Sequence, residues 1–225
     1  MSELDEILAP LQTSDSATRF AVLQALATYW CGAPGPQPAP PADLAIPDML
    51  RRWYEWAGPV APCMNHQNIL RSWLPEPAWM RLEWTDGLLF FHMENQGCYF
   101  WATEPHGVDP PVFARESWTA PWEPQGCVLS EHLLASFIFE ATLDPDACTG
   151  LSSVVDDGSL DKIVASMPTL PIPPWRWPAG LARFRAAQGV LMVAIGSPVS
   201  SIQVAAKEKR HLAALPGIDW DYRNF

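Results

Sequence analysis

The chain has 225 residues, 48% of them hydrophobic, which is enough apolar material to bury a core without a disulfide or a metal ion. Its 25 acidic residues outnumber its 14 basic ones and no basic block is present, so nucleic acid is a poor partner, because phosphate binding needs clustered Lys and Arg. The amino terminus is acidic, unlike a signal peptide, and no apolar run is long enough to span a membrane, so we expect a cytoplasmic protein that binds no membrane.

Two helices are predicted in the first quarter of the chain. The first follows an N-cap at Ser14 or Asp15 and ends before Gly32, with apolar residues along one side. The second begins at Pro47 and ends before Gly58.

Prolines dominate the segment between these two helices. They deny the backbone both a helix and a strand ladder, so residues 34–43 are predicted to form an extended strap. The strap separates an amino-terminal helical segment, residues 1–33, from a main domain, residues 44–225. We expect the two parts to form one compact unit.

The hydrophobic periodicity then changes from helix to strand. Three short runs, residues 79–84, 88–94 and 98–103, are separated by the turn sequences TDG and NQG, which predicts a three-stranded antiparallel meander. Further strands are predicted at PPVFARES and EPQGCVL. The next helix has Ser130 as its predicted N-cap, and its wide apolar run, which includes Phe137, should cover the sheet.

The last third of the chain predicts mixed elements. Two strands flank Gln188 and Gly189, a further strand is followed by a helix, and PIPPWRWPAG is interpreted as a rigid extended connector. Helices first, a meander in the middle and mixed elements afterwards predict an α+β fold with one mainly antiparallel sheet covered by helices.

The five cysteines are odd in number and scattered, with no CxxC pair, which predicts free thiols in a reducing compartment. The 12 tryptophans are mostly assigned to helix stripes and strands. Four lie between prolines, where we expect no regular element to cover them: Trp118, Trp122, Trp175 and Trp177.

No catalytic or metal-binding pattern is present. The histidines lack the spacing of a zinc site, Cys63 and His66 lack a third orienting group, and the glycine-rich phosphate loops are missing. His92 is interpreted as a partly buried strand residue. We therefore predict no catalytic residues, no metal and no cofactor.

Several short motifs follow one another within residues 44–143: IPDMLRRWYEWAG, NHQNIL, DGLLFFHMENQGCYFWAT, DPPV and LSEHLLASFIF. In this order they resemble the SUKH superfamily, the SMI/KNR-like proteins. In one branch of that family a short helix precedes a strand ending in ENQG, a tryptophan on the next strand, a DPPV sequence and a further helix. The first helix and the proline strap are additional to this set of motifs.

The resemblance implies an α+β fold with a mostly antiparallel sheet and no catalytic residues. Many bacterial members look like immunity proteins that bind and neutralise a cognate toxin, often a nuclease, and the acidic charge of this chain fits a basic partner. A general intracellular interaction or scaffold protein without a toxin is the alternative. A third hypothesis is an enzyme whose site is assembled from scattered His, Glu and Cys residues.

The partner-binding hypothesis uses acidic, amide and aromatic residues on or beside the turns of the meander, where side chains are usually solvated. These residues are Glu94, Asn95, Gln96, Trp101, Glu104, Asp109, Glu116, Trp122 and Glu123. A purely structural interpretation assigns residues 95–97 to a hairpin turn and packs Trp101 against the core from its strand.

Overall fold

The computed structural model describes residues 1–13, 15–34, 39–57, 67–69, 83–94, 96–144, 147–152, 163–177, 180–196, 199–213, 215 and 220–224. Within these ranges the chain has an α+β fold, as predicted, but its strands form two antiparallel sheets and not one. Ser14, Gly58, Asn95 and residues 79–82 of the first predicted meander strand lie outside these ranges.

The helices are α1 (Glu3–Leu8), α2 (Ser16–Cys31), α3 (Asp48–Ala57), α4 (Leu129–Ala141) and α5 (Lys209–Ala213), with a 3-10 segment at Ala9–Thr13. Helix α2 has the predicted ends, because the side chain of Asp15 accepts a hydrogen bond of 2.7 Å from the backbone N–H of Thr18 and Gly32 follows with a φ of 84°. Helix α1 was not predicted, although its capping signal, Ser2 with Asp5, is present in the sequence.

Part of the proline strap is held against α3. The guanidinium of Arg51 donates hydrogen bonds to the backbone carbonyls of Pro41, at 3.0 Å, and Leu44, at 2.6 Å. Prolines have carbonyl groups but no N–H, so a side chain that only donates is a suitable partner for such a segment.

The first sheet has the strand order β1, β3, β4, β5, β6, and β2 lies beside β1 on the same edge of β3. Its strands are β1 (Gln67–Ile69), β2 (Glu83–Thr85), β3 (Leu88–Glu94), β4 (Phe100–Thr103), β5 (Pro111–Arg115) and β6 (Glu123–Val128). Strands β2, β3 and β4 form the predicted meander, and the TDG turn has positive φ at Asp86 and Gly87.

The second sheet has the strand order β12, β7, β11, β10, β9, β8. Its strands are β7 (Cys148–Ser152), β8 (Trp175–Trp177), β9 (Gly180–Ala187), β10 (Val190–Gly196), β11 (Val199–Ala206) and β12 (Tyr222–Arg223). Strands β9 and β10 form the predicted hairpin around a Gln-Gly turn. Both faces of this sheet are buried, because Leu191 and Val193 of β10 belong to the main core whereas Met192 and Ala194 belong to a second, smaller one.

Helix α4 lies at the centre of the molecule. All of its residues are buried except Glu131, and Phe137 is fully inaccessible. The helix packs against α2 and α3 and also against strands of both sheets. A helix that is apolar on all sides must be surrounded by protein. The position of α4 between the two sheets therefore agrees with the wide apolar run in its sequence.

The start of α4 differs from the sequence prediction. The helix begins at Leu129, and Ser130 is not its N-cap. The carboxylate of Asp109, on the loop before β5, accepts hydrogen bonds of 2.7 Å from both the backbone N–H and the hydroxyl of Ser130. The same carboxylate forms an ion pair of 3.2 Å with Arg19 of α2. Asp109 therefore joins a loop and two helices.

The cysteines only partly agree with the prediction of free thiols. Cys98, Cys127 and Cys148 are free, but Cys31 at the end of α2 is disulfide-bonded. Its partner lies outside the described residues. The prediction that every thiol is free is therefore wrong at Cys31, since a pairing that depends on the folded chain leaves no spacing motif in the sequence.

This disulfide gives a prediction for the number of reactive thiols. Because a disulfide uses two of the five cysteines, protein purified without reductant and then unfolded should show three titratable thiols, and five after reduction. Thiol titration in denaturant measures both numbers. A Cys98→Ser variant serves as the control because it should lower each number by one, and five thiols before reduction would contradict the disulfide.

Candidate functional site

The connection between β5 and β6 forms an exposed surface that combines acidic and aromatic side chains. We call it the 115–123 surface and define it by Arg115, Glu116, Trp118, Trp122 and Glu123. Glu116, Trp118 and Glu123 are exposed, Trp122 is half-buried and Arg115 is buried beneath them. The surface lies on the edge of the first sheet, since β6 is an outer strand of that sheet.

Trp118 is the large aromatic side chain that this surface presents to solvent. Its exposed fraction is 53%, although its ring centroid lies 4.3 Å from that of Phe100 and 5.4 Å from that of Phe90. One part of the indole is thus fixed by the sheet while the rest is open. A rigid, half-anchored tryptophan is typical of the residues that dominate binding energy in protein interfaces.

Arg115 lies below the tryptophans and contacts their rings. Its guanidinium carbon is 4.2 Å from the ring centroid of Trp122 and 5.3 Å from that of Trp118, which are cation–π distances. Burial lowers the pKa of Arg115, and the charge of Asp86 opposes this change. The guanidinium stays protonated at neutral pH because arginine is always charged in proteins.

The exposed charges around these rings are mainly negative. Glu123 forms an ion pair with Arg176 of β8, whereas Glu116 has no ion pair within the described part of the chain. Burial and then the charge of Glu116 raise the pKa of Tyr99 to about 12. Exposed Asp86 also lies nearby. Among the described residues around these rings, the exposed carboxylates of Asp86, Glu116 and Glu123 therefore outnumber the exposed guanidinium of Arg176.

The structure brings together only some of the residues proposed for partner binding. Glu116, Trp122 and Glu123 share the 115–123 surface, and exposed Gln96 lies in the β3–β4 turn, at the same end of the sheet. Glu104 is also exposed, but it follows β4 at the opposite end of that strand. Asn95 is outside the described residues.

Three other proposed residues have structural roles that remove them from an exposed face. Glu94 is buried, and its carboxylate accepts hydrogen bonds from the backbone N–H of Gln96, at 2.8 Å, and from the thiol of Cys98, at 3.1 Å. Trp101 is fully buried, so it packs in the core as the structural interpretation expected and cannot touch a partner. The carboxylate of Asp109 is engaged by Ser130 and an arginine, as described above.

A buried pair of histidines was missed by the sequence analysis. His92 of β3 and His132 of α4 are both inaccessible to solvent, with a distance of 2.7 Å between Nδ1 of His92 and Nε2 of His132. The indole N–H of Trp175 donates to Nδ1 of His132 at 3.2 Å. His132 therefore carries its proton on Nε2 and donates it to His92, whose own Nε2 has no hydrogen-bond partner in the part of the chain that the structure describes. The interpretation of His92 as partly buried is thus corrected to fully buried.

Burial also disfavours the charged form of both imidazoles. Burial, together with the charge of His132, lowers the pKa of His92 well below its usual range, and burial alone lowers the pKa of His132 to about 3. Two neutral histidines enclosed by Phe91, Trp101 and Trp175 offer no route for a substrate. We treat the pair as a part of the core.

The tryptophans between prolines do not share one environment. Trp118 is exposed as predicted, but Trp175 is fully buried, and Trp122 and Trp177 are half-buried. Trp175 was predicted to be exposed because its segment looked like a connector. It lies instead on β8, which pairs with β9, and its ring stacks on Trp101 at 5.1 Å.

Within the described ranges, His, Cys, Asp and Glu side chains do not form a group of three or more that could hold a metal ion. The helices seen there are also too short or too polar to cross a bilayer. Comparison of the chain with protein-family models, curated proteins and solved structures found no match.

Proposed function

We propose that this chain is a non-enzymatic protein-binding module, similar to SUKH immunity proteins, that holds a basic partner on its 115–123 surface. The observation that carries the proposal is Trp118, which is 53% exposed between the acidic residues Glu116 and Glu123. Tryptophan is enriched among the residues that dominate binding energy at interfaces, so we assign Trp118 the role of the anchor. The net charge of −11 fits a basic partner, and a cytoplasmic toxin with nuclease activity is the partner class we favour.

The acidic residues of the 115–123 surface and its aromatic anchor, Trp118, should act on different steps of binding. Carboxylates at the rim of an interface steer the encounter and change the association rate. A tryptophan that enters a partner pocket changes the dissociation rate. The two contributions are therefore separable by kinetics.

The test begins with capture of a partner, using the product of the adjacent gene or an extract of the producing cell, and continues with binding kinetics at low salt. Reversal of both surface acids, Glu116→Lys with Glu123→Lys, should slow association about tenfold and flatten its salt dependence. Trp118→Ala should instead raise the dissociation rate by about thirtyfold, which corresponds to the loss of a hot-spot residue.

Glu104→Lys is the control for a single reversal, because it makes the same change of charge as Glu116→Lys or Glu123→Lys alone, but at the other end of β4. It should alter the association rate much less than either reversal on the 115–123 surface. If the double reversal associates as fast as the unmodified protein at low salt, the proposed surface is wrong. A captured partner that is not toxic to cells would favour the general interaction protein over the immunity protein.

A further inference from the structure

A small cavity lies behind the 115–123 surface. Its volume is about 140 Å³, and its charged and aromatic lining consists of Tyr99, Arg115, Glu116, Glu123 and Arg176. Tyr99, just before β4, and the end of β5 supply one wall, the β5–β6 connection supplies another, and β8 of the second sheet contributes Arg176. The cavity is therefore assembled from both sheets.

Arg115 is the unusual member of this lining. Only 7% of the residue is exposed, its Nε is buried without a hydrogen-bond partner, and no carboxylate in the described part of the chain forms an ion pair with it. Buried arginines are almost always paired, because a guanidinium that loses water without gaining acceptors is costly. The rings of Trp118 and Trp122 contact its faces, but they cannot accept hydrogen bonds in its plane.

The other charges of the cavity determine which anion would suit Arg115. Arg176 is already paired with Glu123, so Arg115 is the cation without an ion pair among the described residues that line the cavity. Glu116 and Glu123 place negative charge at the same cavity. These carboxylates repel a doubly charged anion such as phosphate more than a singly charged one. A carboxylate carries a single charge, and its two oxygens match the planar fork of a guanidinium.

We propose that this cavity binds the carboxylate group of a small monoanionic ligand, with both oxygens accepting hydrogen bonds from Arg115. The apolar remainder of the ligand lies against Ala114, Ala120 and Pro121, which complete the lining. The site does not depend on the proposed function, since its ligand binds to the protein alone. The same carboxylate chemistry is available at the carboxyl terminus of a peptide, and the experiment separates the two sources.

The test is a titration with propionate, followed by the side-chain N–H resonances of Arg115 and Trp122 in ¹H–¹⁵N NMR spectra at constant ionic strength. We expect saturable shifts below about 50 mM propionate, and weaker changes with inorganic phosphate. A short peptide with a free carboxyl terminus is compared with its carboxamide. Preference for the free acid over both the carboxamide and propionate assigns the site to a chain terminus, whereas no such preference assigns it to a small molecule.

Three variants connect the binding to Arg115. Arg115→Met keeps an unbranched apolar stem but removes the guanidinium, so it should abolish saturable propionate binding. Arg115→Lys should weaken binding about tenfold, because an ammonium lacks the fork. Arg210→Met is the control, since it removes an exposed cation from α5, away from the cavity. If Arg115→Met fails to fold, Arg115→Lys carries the test through the Trp122 resonance.

The unmet hydrogen bond of the buried Nε also predicts that Arg115→Met does not lower the melting temperature of the unliganded protein, whereas a purely structural role of Arg115 would require a lower melting temperature. Unsaturated shifts throughout the titration, equal propionate affinity in Arg115→Met, or tighter binding of phosphate than of propionate would each overturn the proposal.

Discussion

Lowering the pH from about 7 to about 5 should reduce the free energy of unfolding by about 4 kcal/mol through the His92–His132 pair alone. Both imidazoles are neutral in the folded protein because burial lowers their pKa values. In the unfolded chain each histidine has its ordinary pKa near 6.5 and takes up a proton below it. The unfolded state thus binds more protons, so stability is complete above about pH 6.5 and falls as the pH drops toward about 3, with about 2 kcal/mol lost per histidine at pH 5.

Urea unfolding at the two pH values measures this loss. The double variant His92→Gln, His132→Gln retains neutral polar groups at both positions. Between pH 7 and pH 5 its free energy of unfolding should fall by about 4 kcal/mol less than that of the unmodified protein. The comparison isolates the pair, because the groups that face it from β3, β4, α4 and β8 are aromatic rings and not charges. Exposed His106 provides the control for the loss of a histidine, and His106→Gln should change the stability at pH 7 by less than about 0.5 kcal/mol. An equal pH dependence of the double variant and the unmodified protein would show that the pair is accessible to protons.

Asp109→Ala should lower the free energy of unfolding by about 2–4 kcal/mol. The substitution leaves the guanidinium of Arg19, whose side chain is only 11% exposed, without its closer carboxylate. It also removes the acceptor for the backbone N–H and the hydroxyl of Ser130 in the first turn of α4. The loss of the acceptor at the start of α4 accounts for about 1 kcal/mol, and the weaker pairing of the largely buried Arg19, which keeps the more distant carboxylate of Glu131 at 3.6 Å, accounts for the rest.

Denaturant unfolding of three variants tests this role. Asp109→Asn keeps an oxygen for the N–H of Ser130 but removes the charge that faces Arg19, so its loss should lie between those of Asp109→Ala and a surface control. Glu104→Ala is the control, since it removes an exposed carboxylate and should change stability by less than about 0.5 kcal/mol. A loss for Asp109→Ala as small as that of Glu104→Ala would mean that the loop does not anchor α4.

The sequence predicted those parts of the fold whose signals are local. Helix α2 is bounded by a capping side chain at Asp15 and a left-handed Gly32, and both lie next to the element that they define. The β9–β10 hairpin follows from apolar strands around a Gln-Gly turn. In these cases the backbone conformation is decided within a few residues, so a single sequence contains the information.

Interactions between distant residues could not be predicted in this way. His92 and His132 are 40 positions apart, and Asp109 and Ser130 are 21 apart, so no spacing rule connects them. Trp175 looked exposed because prolines flank it, but pairing of β8 with β9 buries it. For the candidate site, local pattern located the acids and tryptophans of the 115–123 surface, whereas the burial of Arg115 and the approach of Arg176 from the second sheet depend on the tertiary fold.

The central position of α4 also has a consequence for biosynthesis. The helix is made after the first sheet, but β10 and β11, which cover another of its sides, come later in the chain. At roughly 5–20 residues per second, a ribosome needs several seconds to complete those strands, and the apolar flank of α4 has no native cover during that time. The nascent chain therefore passes through a stage at which Phe137 and its neighbours form an exposed hydrophobic surface. Chaperone binding at this stage would protect the nascent chain from aggregation.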